Sequence, residues 1–488
     1  MKKNRIIAIL LLSVFAFSAC NDWLDVKPKR LVESSELLKD ESGYKDALWG
    51  IYTTMTETRL YGRNLTISID AMAQMYSSPG TGSAEYRLFT YDYTHTLAEA
   101  LIDSVWQRAY FAIANINNLV DNIKDADPGM FAKDNYNVIY GEALGLRAYL
   151  HFDLLRLFAP SYKANKEAIA IPYVTEFGYN STPHLTVAKV VDKIIEELLE
   201  ALELLKSDPV YTGRTITTSD DNGYLLSRQY HLNYYAVAAT LARVYLWKED
   251  KVNASRYAKE VINSGKYNWT SVDNIAVTEA QRDRTFTPEQ IFTMHVERMA
   301  TNTERLLTTD PRWNTTRALL VSNYVRAKIY PHTTDWRGNT SLYFWSETTG
   351  SASYGYRVPT KLYQYENMPD AYKCLMPLIR LPEMYLIVAE CNPAEAPGVI
   401  NTIRENRGII EVFPNMATQA EIDEEIINEY RREFYCEGVV WYFWKRLNHT
   451  SIPYFMNNNG NLSSQAMSPG RYSWPIPAEE LEFGNRTN

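Results

Sequence analysis

The strongest constraint on the fold is a pair of adjacent helical segments between His231 and Gly265, in which small residues recur at helical spacing. One face carries Ala238, Ala239, Ala242 and Tyr245 in the first segment, and Ala254, Tyr257, Ala258, Val261 and Ile262 in the second. Alanines let paired helices approach closely, and the unit has about the 34 residues of a tetratricopeptide repeat. Such units bury their apolar faces by stacking on neighbours, so the pattern predicts a helical solenoid.

Other segments also repeat apolar residues every three or four positions, which indicates one face of an α-helix. They span 31–55, 98–123, 136–158 and 185–205 before the repeat unit, and 381–389, 399–407 and 420–446 after it. Thr186 is the expected N-cap of the segment that follows it, and Gly408 an expected helix stop. Between 270 and 376 this periodicity fades and Thr, Asn, Gly, Pro and Tyr accumulate. The predicted fold is therefore all-α dominated: a tetratricopeptide-like helical-repeat scaffold with one large, irregular, loop-rich insertion.

The first twenty residues have the organisation of a lipoprotein signal. Lys2, Lys3 and Arg5 precede an apolar run over 6–17, and small residues stand directly before Cys20. Twelve residues at about 1.5 Å rise each fall short of a hydrocarbon core roughly 30 Å thick, so the run indicates a cleaved signal peptide. Cys20 is the expected lipidated N-terminus of the mature chain. The alternative is a plain secreted protein in which Cys20 joins a disulfide.

Charge and cysteine content exclude several classes of function. The formal net charge of −8 argues against nucleic-acid binding, which needs a concentrated basic face. The other cysteines, Cys374, Cys391 and Cys436, have no C-x-x-C spacing and therefore do not suggest zinc or redox chemistry.

Paired carboxylates are the first enzymatic possibility, because glycoside hydrolysis uses two of them at a fixed separation. Two predicted helices carry such pairs: Glu383 with Glu390, and Glu429 with Glu433. The nearby Arg380, Arg431 and Arg432 favour structural ion pairs instead. The sequence has no H-E-x-x-H, no phosphate-binding loop with its lysine and no G-x-S-x-G. We therefore predict no catalytic residue, no metal ligand and no cofactor.

Two polar segments rich in aromatic residues, 70–93 and 313–345, are better suited to binding a sugar. A sugar ring lays its apolar C–H face on a flat aromatic side chain, and loops on a rigid frame can supply such faces with polar groups around them. The predicted ligand-binding residues are Tyr76, Tyr86, Tyr91, Trp313, Trp336, Arg337, Asn339, Tyr343 and Trp345. The alternative is that these rings pack their loops onto the frame.

Three of these aromatics are the strongest candidates. Trp336 and Trp345 lead in the insertion, because a tryptophan beside Arg and Asn in a polar loop has little local core to enter. Tyr76 leads in the first segment. Four other tryptophans lie in or beside apolar helical patterns and are predicted to be core residues: Trp247, Trp269, Trp441 and Trp444.

Several sequence blocks, taken in order, make the chain resemble the RagB/SusD family over nearly its whole length. The N-terminal blocks are Cys-x-x-Trp-Leu-Asp at 20–25, Leu-Arg-Ala-Tyr at 146–149, and the segments 152–156, 171–173 and 239–246. The C-terminal blocks are the segment 380–390, which begins Arg-Leu-Pro-Glu-Met-Tyr, the segments 403–408 and 429–434, the pair Glu437 and Gly438, and Pro-Ile-Pro at 475–477. No single block is specific for the family, but the presence of all the blocks in this order is. Cys436 and 439–442 depart from the family pattern, which more often has a leucine-like residue and Arg-Trp-Phe-Asp there.

The resemblance implies a mostly helical fold with four tetratricopeptide-like units, and a lipoprotein at the outer-membrane surface, facing outward. It also implies a SusC-like TonB-dependent barrel transporter as partner and an oligosaccharide, or in some members a peptide, as ligand. The resemblance therefore implies a binding protein without catalytic activity of its own. A tetratricopeptide scaffold that organises proteins without binding a nutrient is the alternative from another class.

The predicted organisation follows from these segments. A signal peptide spans 1–19, and the lipidated cysteine with its tether spans 20–30. An N-terminal helical region with tetratricopeptide-like units spans 31–269, and the loop-rich insertion spans 270–380. A C-terminal helical region over 381–488 completes one SusD-like domain.

Overall fold

The structure is a computed structural model. It describes residues 36–77, 79–217, 224–303, 306–307, 319–338, 345–347, 355–454 and 463–486, with the backbone alone at 345–347 and 454. Cys20, Trp313, Asn339 and Tyr343 lie outside the described residues, as do the predicted signal peptide and tether. The predicted domain limits stay predictions.

The N-terminal half consists mainly of helices. They are α1 (Glu41–Met55), α2 (Ala84–Phe89), α3 (Thr96–Asp125), α4 (Asn135–Phe158), α5 (Tyr162–Asn165), α6 (Val187–Leu204), α7 (Pro209–Thr212), α8 (Tyr234–Trp247) and α9 (Lys251–Asn263). Strands β1 (Ile169–Pro172) and β2 (His184–Thr186) form an antiparallel pair.

The C-terminal half alternates short strands and helices. They are β3 (Gln290–His295), α10 (Met299–Thr303), β4 (Val321–Ser322), α11 (Asn323–Ile329), β5 (Trp345–Glu347), β6 (Tyr356–Pro359), β7 (Leu375–Arg380), α12 (Leu381–Cys391), α13 (Ala396–Glu405), α14 (Gln419–Glu433), α15 (Val439–Leu447), β8 (Ser451–Tyr454), β9 (Ser463–Ala466), α16 (Pro469–Tyr472) and α17 (Ala478–Phe483). The sheets pair β3 with β7 and β8 with β9, and a third has the order β4-β6-β5.

Local sequence signals set several helix ends. The Thr186 side chain accepts a hydrogen bond from the Lys189 backbone N–H and caps α6, as predicted. Gly408 follows the end of α13 with φ +76, the left-handed conformation that glycine adopts without strain. The single helix predicted over 420–446 is wrong, because the chain leaves α14 at Phe434 and α15 starts only after Gly438.

The helices stack in chain order, which confirms the predicted helical-repeat fold. Successive contacts join α1 to α3, α3 to α4, α4 to α6, α6 to α8, α8 to α9, and α9 to α12, which packs on α13 and α14. Close approach depends on small residues: a Cβ at Gly141 of α4 would lie 2.9 Å from Leu204 Cβ of α6. In the repeat unit, the Tyr245 and Tyr257 rings stack with centroids 5.6 Å apart. Among the residues described, no helix combines the length and apolar character needed to cross a bilayer.

A buried set of ion pairs ties the insertion to the C-terminal helices. We call it the arginine cluster, and its members are Glu289, Asp335, Arg337, Lys361, Arg380, Arg407, Glu429, Arg432, Glu433 and Glu437. Its centre is the Glu433 carboxylate, which accepts hydrogen bonds from Arg337, Arg380 and Arg407 at 2.6–3.0 Å. These charges hold the insertion against α14.

Candidate ligand-binding site

The loop after the first helices meets the insertion through two hydrogen bonds. The Ser77 N–H donates to the Leu320 carbonyl at 2.8 Å, and the Ser322 N–H donates to Ser77 Oγ at 2.8 Å. We call this meeting point the loop junction and define it by Ser77, Leu320 and Ser322. It brings together the two segments that the sequence nominated separately for ligand binding.

The loop junction continues into the three-stranded sheet β4-β6-β5. Ser322 of β4 lies opposite Tyr356 of β6, and Trp345 of β5 lies opposite Pro359 of the same central strand. Neighbouring strands are about 4.8 Å apart, so β4 and β5 are separated by about 10 Å. The backbone of Trp345 therefore belongs to the same small sheet as the loop junction.

An exposed aromatic side chain with polar neighbours stands beside the loop junction. Tyr324, at the start of α11, is 38% exposed, and the Lys328 ammonium lies 5.5 Å from its ring centroid. Next to it, Arg357 Nε donates to Asn323 Oδ1 at 2.8 Å. An aromatic face with amide and cationic groups around it is suited to a hydroxyl-rich ligand. Sequence reasoning did not single out Tyr324 among the aromatic residues of the insertion.

Tyr76 does not present its ring to solvent, which corrects the reasoning that placed it first in its loop. It is 1% exposed, and its hydroxyl donates to the Ile67 carbonyl at 3.2 Å. Its ring contacts Tyr435 edge-on, with centroids 6.1 Å apart. Tyr76 therefore anchors the underside of the loop whose backbone forms the junction.

Trp336 and Arg337 also lie inside the protein. Trp336 is 7% exposed, its backbone N–H donates to the Arg407 carbonyl at 3.2 Å, and its ring lies 6.1 Å from that of Phe286. The Arg337 guanidinium belongs to the arginine cluster. The argument that Trp336 has little core to enter is wrong, because the insertion folds onto distant residues that supply a core.

The remaining predicted residues have different surroundings. Tyr86 and Tyr91 are half-buried: the Arg87 guanidinium lies 5.3 Å from the Tyr86 ring, and the Tyr91 hydroxyl donates to the Met72 carbonyl at 2.8 Å. Together with Trp345, they stay predictions for ligand contact.

The carboxylate pairs weighed as catalytic groups are engaged in ion pairs, as predicted, although Glu383 and Glu390 bind arginines that are distant in the sequence. Glu383 accepts from Arg243 Nε at 2.6 Å, and Glu390 accepts from the Arg446 guanidinium at 2.5 and 2.6 Å. Glu429 and Glu433 belong to the arginine cluster. Within the described ranges, no group of three or more His, Cys, Asp or Glu side chains is placed to hold a metal ion.

Comparison with family models gives two matches that follow each other along the chain. A model described as "Starch-binding associating with outer membrane", of the SusD-like type, matches residues 22–246. A second, described as "SusD family", matches residues 265–483.

Two curated proteins of Formosa agariphila match parts of the chain. SusD-like protein P2 is 24% identical over 266 residues, which cover 54% of this chain and 47% of that protein. SusD-like protein P25 is 23% identical over 170 residues, which cover 33% and 32% respectively. The chain thus spans less than half the length of these relatives.

Solved structures share the fold over most of their length. A SusD superfamily protein from Bacteroides thetaiotaomicron has a TM-score of 0.71 at 21% identity, covering 91% of this chain and 98% of that one. A SusD-like carbohydrate-binding protein from Bacteroides vulgatus has a TM-score of 0.68 at 20% identity, covering 90% and 96%. Surface glycan-binding protein A from B. thetaiotaomicron, solved with laminarihexaose, has a TM-score of 0.64 at 15% identity, covering 91% and 97%. At these identities the likeness establishes the fold.

Proposed function

This chain belongs to the SusD/RagB family, and from that membership we propose that it captures an oligosaccharide at the cell surface and passes it to a SusC-like TonB-dependent transporter. Binding of carbohydrate or another nutrient is the activity supported at the level of the family. The oligosaccharide, its delivery and the transporter are the parts that we propose for this protein.

The loop junction is the observation that carries the proposal. Two aromatic-bearing segments converge there on a rigid helical frame, and Tyr324 offers an exposed ring among amide and cationic side chains. A frame of this kind keeps such groups in place before the ligand arrives, which lowers the entropy cost of binding.

We expect the Trp345→Ala and Tyr324→Ala variants to weaken oligosaccharide binding by roughly 30-fold each, because truncating a central aromatic contact costs about 2 kcal/mol. The measurement is calorimetric titration of the mature chain, from Asn21 onward, with starch-derived, laminarin-derived and other plant, host and microbial oligosaccharides. Trp49→Ala is the matched control, because Trp49 is 45% exposed on α1 and shares no contact with the loop junction. Unchanged affinity in both junction variants would refute the placement of the site.

Peptide capture is a second candidate function, and the sheet beside the loop junction favours it. In the order β4-β6-β5 the strand β5 stands at an edge, and an extended peptide can add to a sheet edge through backbone hydrogen bonds. Peptides of similar size are therefore titrated in parallel. Binding of peptides without oligosaccharides would replace the first proposal with this one.

A scaffold that binds no nutrient would behave differently from both. It would bind neither ligand class and would co-purify without a barrel transporter. Affinity capture of the full-length chain from detergent-solubilised outer membranes tests this, with a SusC-like barrel as the expected partner.

We expect Cys20→Ala to release the protein from the membrane fraction and to abolish fatty-acid labelling. The reason is that stable anchoring depends on several acyl chains on one residue, each buried methylene contributing about 0.8 kcal/mol. Labelling with an alkyne fatty acid in a bacterium that processes lipoproteins gives the readout. Cys391→Ala is the control and should keep both the label and the location. An unlabelled wild-type chain would instead support a plain secreted protein.

A further inference from the structure

A second groove, of about 580 Å³, shares no lining residue with the loop junction. We call it the tryptophan groove. Its lining includes Trp269, Thr270, Thr333, Trp336, Glu405 and Asn406. These residues come from three stretches of chain: the segment after α9, residues 333–336 after α11, and the end of α13. The volume falls within the range of about 300–1,000 Å³ that is usual for small-molecule sites.

The aromatic floor of the groove is held rigidly from beneath. The buried Arg407 guanidinium lies 5.0 Å from the Trp269 ring and 5.6 Å from the Trp336 ring. That guanidinium is bound by Glu289 and Glu433, so its charge is compensated inside the arginine cluster. Trp269 was predicted to be a core residue, but it is only half-buried and lines the groove. A rigid, partly exposed indole is the kind of surface on which the C–H face of a sugar ring packs.

Gly408 keeps the groove in this shape. A Cβ at that position would lie 2.5 Å from Trp336 Cδ1 and 2.9 Å from the Thr334 carbonyl oxygen. The backbone at Gly408 can therefore approach the Trp336 indole closely, and its φ of +76 suits glycine.

Thr270 supplies an unused hydrogen-bonding group at the groove. Its side chain is 3% exposed, and within the described part of the chain its Oγ1 has no hydrogen-bond partner. The Thr270 backbone N–H is engaged, donating to Glu289 Oε1 at 3.0 Å. A buried hydroxyl left unpaired costs about 1–3 kcal/mol, so a ligand hydroxyl that pairs with it gains affinity. Thr333 and Asn406 line the same space, and the Asn406 side-chain N–H donates to the Thr402 carbonyl at 2.9 Å.

We propose that the tryptophan groove is a second saccharide-binding site, which holds a neutral sugar ring against Trp269 and bonds its hydroxyls at Thr270 and Asn406. Among the described lining residues the only charged side chain is Glu405. A carboxylate there repels acidic sugars, which sets the ligand class as neutral. The site is independent of the loop junction, because no residue is common to both.

The test uses the mature chain in a Trp345→Ala background, a substitution chosen to weaken binding at the loop junction. Maltohexaose and laminarihexaose are the neutral probes, and an oligogalacturonate is the acidic counterpart. Trp269→Ala should weaken binding of a neutral probe by roughly 30-fold or more, and Thr270→Val by roughly threefold to tenfold. Valine keeps the shape of threonine without its hydroxyl, so Thr270→Val tests the site even if Trp269→Ala fails to fold. Trp49→Ala should change nothing.

Crystals soaked at millimolar concentration in the same probes give the second readout, with sugar density expected over Trp269. Equal affinities in Trp269→Ala, Thr270→Val and the background protein overturn the proposal, and so does a groove in which neither neutral probe is found. If Trp345→Ala alone removes all saccharide binding, the groove proposal fails and the proposed function stands. If Trp345→Ala changes nothing and Trp269→Ala removes binding, the groove stands and the loop junction is not the site.

Discussion

Glu433→Gln is expected to lower the free energy of unfolding by about 3–5 kcal/mol, because it removes one charge from a buried ion pair and leaves its partners uncompensated. Three guanidiniums, those of Arg337, Arg380 and Arg407, bind this one carboxylate, and both of its oxygens accept hydrogen bonds. A glutamine keeps the size of the side chain but has one acceptor oxygen instead of two. Its NH2 group would face the guanidiniums and cannot accept a hydrogen bond from them. Urea denaturation followed by circular dichroism measures the effect.

The size of this effect depends on pH in a defined direction. Burial by itself would raise the pKa of Glu433, but Arg407, Arg380 and Arg337 outweigh it and hold the pKa well below the ordinary value of 4.5. A folded-state pKa below the unfolded one stabilises the protein fully above the unfolded value, and this stabilisation is lost as the pH falls toward the folded value. The difference between native and variant protein should therefore be largest near neutral pH and shrink below about pH 4.5.

An exposed ion pair gives the control for Glu433. Lys259 and Glu395 are 2.7 Å apart, with side chains 40% and 48% exposed. Exposed pairs of this kind contribute about 0–1 kcal/mol, so Glu395→Gln should leave the unfolding curve nearly unchanged. A Glu433→Gln protein as stable as the Glu395→Gln protein would contradict the assigned role of the arginine cluster.

Gly438→Ala is expected to lower the free energy of unfolding by about 2–5 kcal/mol, from two costs that add. Gly438 has φ +71, a left-handed conformation that costs an L-residue about 1–2 kcal/mol. An added Cβ would also lie 2.4 Å from the Leu65 carbonyl oxygen and 2.8 Å from Ile69 Cγ2, and overpacking of this kind costs about 1–3 kcal/mol. Thermal and urea unfolding of the purified variant measure the sum.

A second glycine separates the two costs at Gly438. Gly213 has the same φ of +71, but an added Cβ there has no described atom within 4 Å. Gly213→Ala should therefore lose only the conformational part, about 1–2 kcal/mol. If the two variants are equally stable, close packing between Gly438 and Leu65 does not contribute.

The candidate site shows where prediction from sequence stops. Composition identifies the aromatic segments 70–93 and 313–345, and the loop junction joins described parts of them. The individual binding residues were harder to predict from the sequence. Tyr76 and Trp336, which the sequence favoured, are buried, whereas Tyr324, which it did not single out, is exposed. Whether a loop aromatic is buried depends on what packs over it, and Trp336 is covered by Phe286 and Arg407, which are distant in the sequence.

The sequence by itself determined the helices and their pairing as repeats. These features depend on spacings of three, four or seven residues and on caps such as Thr186, which act within one helix or between neighbours. Only the tertiary structure decided which rings face solvent, and how Ser77 meets Ser322, 245 residues away. Such contacts arise when the insertion folds onto the C-terminal helices, because burial and charge pairing between distant segments have no periodicity along the chain.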